Sequence, residues 1–327
     1  MGLFTPTASW VMDEHRMFAD AVSRVFDDAL VPNIEKWVDQ GRVDREFWEL
    51  AGAQGIMGGS VPEAYGGAGG GMGFDAIAVY EQGAVGDCGW GYSIQSIVLH
   101  YLLTYGSEEQ KQRWVPDLVA GKRVAAIAMT EPGCGSDLQA VKTTAEKDGN
   151  QYRINGSKTF ITNGQTADLI VVVAKTDKAA GAKGVSLLVV ETDQVEGFRR
   201  GRNLKKLGMK ANDTSELFFE DVKVPQTNLL GAEEGQGFYQ LMRQLPWERL
   251  VIAITALGSI DFALSETIKY VQERKAFGQP VAGFQNTQFK LAEMRTQLDV
   301  ARAYVDRCLE LHLKKELDIP TAAGAKY

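Results

Sequence analysis

A loop of small, polar and acidic residues, Thr130-Glu131-Pro132-Gly133-Cys134-Gly135-Ser136-Asp137, follows the apolar run Ile127-Ala128-Met129. Glycines let backbone N–H groups approach a ligand closely, and the hydroxyls of Thr130 and Ser136 can bond a polar edge or a phosphate. The same composition also makes an ordinary tight turn. Further on comes Asn155-Gly156-Ser157-Lys158-Thr159-Phe160-Ile161-Thr162-Asn163-Gly164, in which two Asn-Gly dipeptides, each a hairpin-turn signal, flank a short Thr-Phe-Ile-Thr strand. A third group is Leu245-Pro246-Trp247-Glu248-Arg249-Leu250. Pro246 suits the first turn of a helix, which puts Glu248 near a helix start. A carboxylate of ordinary pKa, about 4.3, is a poor base near neutrality, and burial against apolar groups would raise it into a useful range. The plain alternative is a solvated partner of the helix dipole. In Gln272-Glu273-Arg274-Lys275-Ala276-Phe277-Gly278, Arg274 offers a planar fork suited to phosphate. The same segment also reads as a helix C-terminus, with basic side chains on the dipole and Gly278 closing it.

Other chemistries find less support. Cys88, Cys134 and Cys308 lie far apart with no CxxC spacing, which fits a reducing compartment. Cys134 reads as a small side chain packed near a ligand or, alternatively, as a reactive thiol. With His15, His100 and His312 as the only histidines, no metal site or Ser–His hydrolase is assembled from familiar spacings. Gly67 to Gly73 is glycine-rich but in the wrong context for a nicotinamide Rossmann fingerprint. The formal charge of −7, from 42 acidic and 35 basic residues, argues against nucleic-acid binding as the main role. Hydrophobic content of 45% and charged content of 24% are those of an ordinary soluble globular protein. No apolar run approaches the roughly 20 residues that span a bilayer. The start, Met1-Gly2-Leu3-Phe4-Thr5-Pro6, lacks the features of a secretion signal, and Pro6 spoils its likeness to a myristoylation motif.

The elements that must carry these residues fall into three blocks, and 327 residues suffice for two or three domains. Helical periodicity runs over 12–30, 45–54, 74–83, 94–105 and 108–120. From about Arg123 the pattern becomes β-rich: 124–129, 143–147, 152–155, 169–175, 185–191 and 216–224 read as short strands of a compact antiparallel barrel or sandwich. After the Gly231–Gly237 region helices return over 246–274 and 285–313. The expected fold is a multi-domain α and β protein. It has an N-terminal α-helical domain (1–122), a middle β-barrel or sandwich domain (123–232) and a C-terminal helical-bundle domain (233–327).

Six ordered segments resemble one family. "AMTEPGCGSD" and "NGSKTFITNG" look like the flavin-binding signature of the acyl-CoA dehydrogenases. Four further segments agree in order: Pro62-Glu63-Ala64-Tyr65-Gly66-Gly67, Lys206-Leu207-Gly208 with Asp213-Thr214, Glu248-Arg249-Leu250, and Glu273-Arg274-Lys275-Ala276-Phe277-Gly278. The Leu-Pro-Trp-Glu-Arg-Leu version of the fifth is closest to the long-chain and isovaleryl types, and the three-block plan is the family's.

The resemblance implies FAD as cofactor. Ile127, Met129, Thr130, Gly135 and Ser136 would line the isoalloxazine on one side. Phe160, Ile161 and Thr162 would cover the other flank, with the Thr162 hydroxyl near N5. Arg274, Phe277 and Gln285 resemble a third flavin contact made across a dimer interface. The implied reaction is α,β-dehydrogenation of an acyl-CoA thioester to a trans-2-enoyl-CoA, with Glu248 abstracting the α-proton and flavin N5 accepting the β-hydride. Ser136, Lys183, Tyr239, Pro246, Trp247 and Arg249 carry over as substrate contacts. An electron-transfer flavoprotein is the implied acceptor, and a homodimer or homotetramer the implied assembly. The implied compartment is the bacterial cytoplasm or mitochondrial matrix. Family members continue beyond the Ala-Ala-Gly-Ala-Lys-Tyr at which this chain stops, so a truncated product or a fragment of a longer gene is expected. The alternatives are an oxidase or monooxygenase on the same scaffold, or a non-catalytic fragment.

Overall fold

The computed structural model describes residues 8–87 and 89–327; the amino-terminal hexapeptide and Cys88 read above lie outside the described residues. In chain order the elements run helical, then β, then helical. The first block holds α1 (Asp13–Val25), α2 (Ile34–Gln40), α3 (Arg45–Ala53), α4 (Met72–Ala84), α5 (Tyr92–Tyr105) and α6 (Glu108–Val119). The second holds β1 (Ala125–Ala128), β2 (Thr144–Asp148), β3 (Gln151–Thr162), β4 (Leu169–Lys175), β5 (Val185–Glu191), β6 (Phe198–Asn203) and β7 (Thr214–Pro225). The third holds α7 (Gly237–Glu273), the hairpin β8 (Lys275–Ala276) and β9 (Gln279–Pro280), α8 (Gln285–Leu313) and α9 (Ile319–Lys326).

By packing, these elements form two compact units that cut across chain order. One comprises Met1–Pro32, Gly71–Asp87 and Pro246–Tyr327; the other comprises Asn33–Gly70 and Cys88–Leu245, so the division falls within α7. In the second unit the strands make one curled sheet. Along one edge of β4 lies β5; along the other lie β1, parallel, and the start of β2, also parallel, at Thr144 opposite Lys175. The sheet continues antiparallel through β3, β7 and β6. It is therefore mixed, not purely antiparallel as read from the strand spacing. The long connections carrying the Thr130–Asp137 loop and the 3-10 turn before Val141 let β1 and β2 share one neighbour. A core of alternating side chains, among them Ala126, Ala128, Ile154, Ile161, Val172, Leu188 and Phe219, fills the sheet's concave side.

Three departures from the sequence reading have physical causes. Asn155-Gly156 is not a hairpin turn but lies inside the twelve-residue β3, at a register shift. The Asn155 side chain bridges to β7 by donating to Asp221 Oδ1 and accepting from Asp221 N–H, 2.9 Å each. A Cβ on Gly156 would lie 2.3 Å from the Thr143 hydroxyl, so close strand approach explains that glycine.

The second departure is Pro246, which sits inside α7 rather than at its start. An interior proline forfeits a hydrogen bond and costs about 3 kcal/mol. The buried Trp247, Leu250, Val251, Ile254 and Leu257 offset that by removing apolar area from water, at roughly 1.5–3 kcal/mol for each large side chain.

The third is apolarity: α7 contains an 18-residue window of mean hydropathy 1.5, so by length and composition it could cross a bilayer. The expectation that no such run exists is corrected. Within its own unit one face of this helix packs on α4: Gly83 of α4 and Gly258 of α7 meet, a Cβ on Gly258 falling 2.3 Å from the Tyr80 carbonyl. Asp261 on the same helix accepts from Arg302 (3.0 Å) and from the Tyr80 hydroxyl (2.6 Å).

Candidate active site

In the sheet unit, β1 delivers the glycine loop. Its entry is fixed by Gln95, fully buried on α5, whose Nε2 donates to the Leu118 and Arg123 carbonyls and whose Oε1 accepts from Ala125 N–H at 2.6 Å. Asp168 accepts from Val124 N–H (2.8 Å) and is itself held by Arg45 at 2.7 and 3.2 Å. Ile127, Met129 and Thr130 emerge half-buried, and Gly135 and Ser136 lie exposed beyond them. The space beside Gly133 and Gly135 is open, no atom lying within 4 Å of where a Cβ would sit.

β3 brings the second segment against the first. Thr159 N–H donates to the Thr130 carbonyl at 2.9 Å. Between Lys158, opposite Leu217, and Ile161, opposite Ser215, β3 carries one extra residue. This bulge puts Phe160 at φ 59° with its ring 67% exposed, while Ile161 turns into the core at 2%. Phe160 is therefore not a core aromatic. Asn163 closes the strand: its Nδ2 donates to the Gly91 and Ala125 carbonyls at 3.1 and 3.0 Å, joining the end of β3 to the start of β1.

Beneath the loop lies a pair with no role assigned from sequence. Lys158, with a fully buried side chain, donates to the Met129 carbonyl (3.0 Å) and to Glu131 Oε1 (2.9 Å). Glu131 also accepts from Lys142 N–H (2.7 Å) and Thr143 N–H (3.0 Å). Burial pushes the Glu131 carboxyl up, but the Lys158 ammonium and the two N–H donors outweigh it and hold the group below the ordinary glutamate range. Burial also pulls the Lys158 ammonium down; with a carboxylate and a carbonyl as its acceptors, the pair stands as ionised. Both residues sit inside the quoted motifs, but only the fold shows that they meet. Cys134 is buried, and burial together with the Glu131 charge pushes its thiol up, as fits a packed side chain.

The substrate candidates of this unit also converge. The turn Leu138–Ala140, just beyond Ser136, lies against the turn Gly181–Gly184 that carries Lys183. The Lys183 carbonyl in turn abuts Gly235, ahead of α7, where a Cβ would lie only 2.2 Å away. Tyr239 stands exposed in the first turn of that helix. The Lys206-Leu207-Gly208 and Asp213-Thr214 motif is a structural clasp, Lys206 Nζ donating to the Asn212 carbonyl and to the Thr214 hydroxyl.

The other unit holds Pro246, Trp247, Glu248 and Arg249 on α7. Glu248 and Arg249 are half-buried, in mid-helix rather than at the expected helix start. Trp247 is 2% exposed and stacks on His312, with ring centroids 5.1 Å apart. Arg249 carries a buried Nη1 with no hydrogen-bond partner among the described residues. An orphaned charged donor costs about 1–3 kcal/mol or more, so it fits a site completed by an anionic or carbonyl ligand.

Arg274, Phe277 and Gln285 lie in the same unit but are not brought to Glu248. Glu273 lies twenty-five helical steps beyond Glu248, about 37 Å of axis at 1.5 Å per residue. The basic segment is not a Gly-closed helix terminus, because the helix ends at Glu273 and Phe277-Gly278 form the two-residue turn of the β8–β9 hairpin. Both turn residues have positive φ, 51° and 82°, the signature of a type I′ turn. Phe277 is 97% exposed.

Known proteins match nearly the whole chain. Three family models match: acyl-CoA dehydrogenase N-terminal domain over residues 12–122, middle domain over 126–222 and C-terminal domain over 235–327. The chain is 49% identical over 318 residues to the mitochondrial long-chain specific acyl-CoA dehydrogenase of Sus scrofa, covering 96% of this chain and 73% of that protein. It is 40% identical over 301 residues to the mitochondrial isovaleryl-CoA dehydrogenase of Pongo abelii, covering 90% and 70%. The crystal structure of an acyl-CoA dehydrogenase from Geobacillus kaustophilus superposes with a TM-score of 0.95 at 46% identity, covering 98% of this chain and 85% of that one. Fold, ordered motifs and relatives together show that the chain belongs to the acyl-CoA dehydrogenase family.

Proposed function

We propose that this FAD-dependent oxidoreductase dehydrogenates an acyl-CoA thioester at Cα–Cβ to give a trans-2-enoyl-CoA, with Glu248 as the base that takes the α-proton. The observation that carries the assignment is a half-buried Glu248 next in sequence to Arg249, whose buried Nη1 has no partner among the described residues. An acyl chain and flavin packed beside Glu248 would make its carboxylate a stronger base than one in water. Arg249 would take an oxygen of the CoA portion, and Pro246 and Trp247 would shape the wall beside it. Ser136, Lys183 and Tyr239 form the second substrate-facing group.

FAD, when bound, accepts the β-hydrogen as hydride, which no protein side chain can do. The chain's own residues fit it: Thr130 and Thr162 offer hydroxyls, Ile127, Met129 and Phe160 offer apolar surface, and the open side of Gly135 leaves room for backbone approach. Ile161, expected beside them, is instead a core residue, because the bulge turns it inward. Arg274, Phe277 and Gln285 would bind the FAD of a second copy. About 37 Å of helix axis lies between Glu248 and Glu273, next to Arg274, and a Phe277 left 97% exposed suits burial against another chain. We assign an electron-transfer flavoprotein as electron acceptor and a homodimer or homotetramer as the assembly. A mitochondrial and a bacterial relative support the mitochondrial matrix or the bacterial cytoplasm as the compartment. The three sequence blocks, 1–122, 123–232 and 233–327, are proposed as the family's three domains.

The test is product analysis. FAD-loaded protein, an artificial electron acceptor and short-, medium- and long-chain acyl-CoAs are incubated, and 2-enoyl-CoA is identified by its absorbance and mass. Enoyl product from one chain-length class supports the reading. Hydrogen peroxide formed in step with oxygen uptake would favour the oxidase, and no product with any class would defeat the dehydrogenase assignment.

A further inference from the structure

We infer that the buried Lys158–Glu131 pair is a positioning device that fixes the direction of the Met129–Thr130 peptide, and with it the donor offered to the cofactor's polar edge. The inference rests on the FAD reading above for what lies beyond that peptide, not for the geometry itself. A buried ion pair seldom stabilises a fold more than apolar side chains of the same volume would, so its presence calls for another explanation. Lys158 is fully buried and Glu131 nearly so, and neither belongs to the residues that would touch substrate or cofactor.

The hydrogen bonds supply that explanation. Lys158 Nζ holds the Met129 carbonyl at 3.0 Å. In a trans peptide the carbonyl and the following N–H point in opposite directions. The Thr130 N–H is therefore turned away from Lys158, to the side that the cofactor would occupy on the FAD reading. The next carbonyl, that of Thr130, is held by Thr159 N–H at 2.9 Å. Both peptide planes flanking Thr130 are thus tied to two consecutive residues of β3.

Glu131 extends the clamp around the loop. Its side chain gathers Lys142 N–H and Thr143 N–H, and its backbone N–H and carbonyl pair with the carbonyl and N–H of Cys134 at 2.9 and 3.1 Å. Ser136 is carried within the segment so closed, and Phe160 on the bulge begins two residues after Lys158. One buried pair therefore sets both walls. Without the ammonium, the Met129 carbonyl is free to rotate outward, presenting an acceptor where a donor stood. That change disfavours negative charge on the adjoining ring edge, which reduced FAD carries and oxidised FAD does not.

The test uses the full chain with two changes made together, Lys158→Leu and Glu131→Gln, so that neither partner is left as a lone buried charge and no second Met-Thr pair is created. Met-Thr occurs once in the sequence, at Met129-Thr130. Carbonyl-13C methionine with 15N threonine therefore gives a single resonance from that peptide in the FAD-free protein. The expected result is a folded double variant whose Met129–Thr130 resonance has moved and whose bound FAD has a more negative reduction potential. At least a tenfold loss in preference for the reduced form is expected, about 30 mV for a two-electron couple. Lys158→Arg, which keeps charge and donors, should return both readouts towards wild type.

An unmoved resonance, or a moved resonance with wild-type potential, would overturn the inference and leave the pair merely structural. If the wild-type chain bound no FAD, the cofactor reading would fail, while the resonance would still decide whether Lys158 orients the peptide.

Discussion

Arg249 and Glu131 show how much of this site is decided by single side chains that the sequence alone cannot weigh. Both stand within recognisable motifs, yet one carries a buried donor with no partner among the described residues and the other accepts three hydrogen bonds on its carboxylate. Arg249→Met should leave the melting temperature unchanged or raise it, because an unsatisfied buried donor costs about 1–3 kcal/mol. It should also raise KM for acyl-CoA at least tenfold; thermal melts and steady-state kinetics on the same preparation check both halves. Lys158→Met alone should cost about 3–5 kcal/mol by leaving the Glu131 charge buried and unpaired.

The sign of the pH effect follows from Glu131. Its folded pKa lies below the ordinary 4.5, so the stability it contributes is present above that value and is lost as the pH falls through the folded one. Acid melts of wild type and Glu131→Gln should therefore converge below pH ~4.5, and curves that stay parallel would contradict the assignment.

At the scale of elements, legibility followed the strength of the local pattern. β4 and β5 were read to their observed bounds because each is a continuous apolar run, and α8 because its periodicity is long and its start is fixed by the turn before it. β6, Phe-Arg-Arg-Gly-Arg-Asn, was missed because it has no apolar alternation and is held by its ladder to β7. The short α2 and α9 were missed for want of a long enough pattern. In β3 the Asn-Gly signal lost to pairing with β7, and in α7 packing of the following residues overrode the proline.

Pro246→Ala should accordingly stabilise the fold, by up to about 3 kcal/mol. If Pro246 shapes the substrate wall, kcat/KM should fall in the same variant; stability and activity rising together would argue that the proline has no such role. Gly91→Ala should do the reverse of stabilise. Its Cβ would fall 1.8 Å from Asn163 Oδ1, breaking the tie between β3 and β1, at about 1–3 kcal/mol. Weaker FAD binding should accompany the loss, read by fluorescence titration.

At the scale of the molecule, the family resemblance foresaw helical, β and helical blocks, and three family models cover those stretches. The packing into two units was not legible, because contacts between α1, α4 and the carboxy-terminal helices join segments far apart in sequence. The distance along α7 makes a prediction that no single residue could. If Arg274 serves the FAD of a second copy, then Glu248→Gln and Arg274→Ala chains, each inactive alone, should regain activity when unfolded together and reassembled. Each mixed dimer would hold one intact site and one doubly impaired site. No recovery in mixed dimers would place both residues in service of one chain's own site.

The most direct measurement is the anaerobic reaction of FAD-loaded wild type and Glu248→Gln with saturating acyl-CoA, followed by the oxidised-flavin absorbance. If Glu248 is the base, wild type loses that absorbance, while Glu248→Gln binds the acyl-CoA with similar affinity and keeps the absorbance or loses it at least a thousandfold more slowly, about 4 kcal/mol in the barrier. Reduction of Glu248→Gln at the wild-type rate would contradict the assignment.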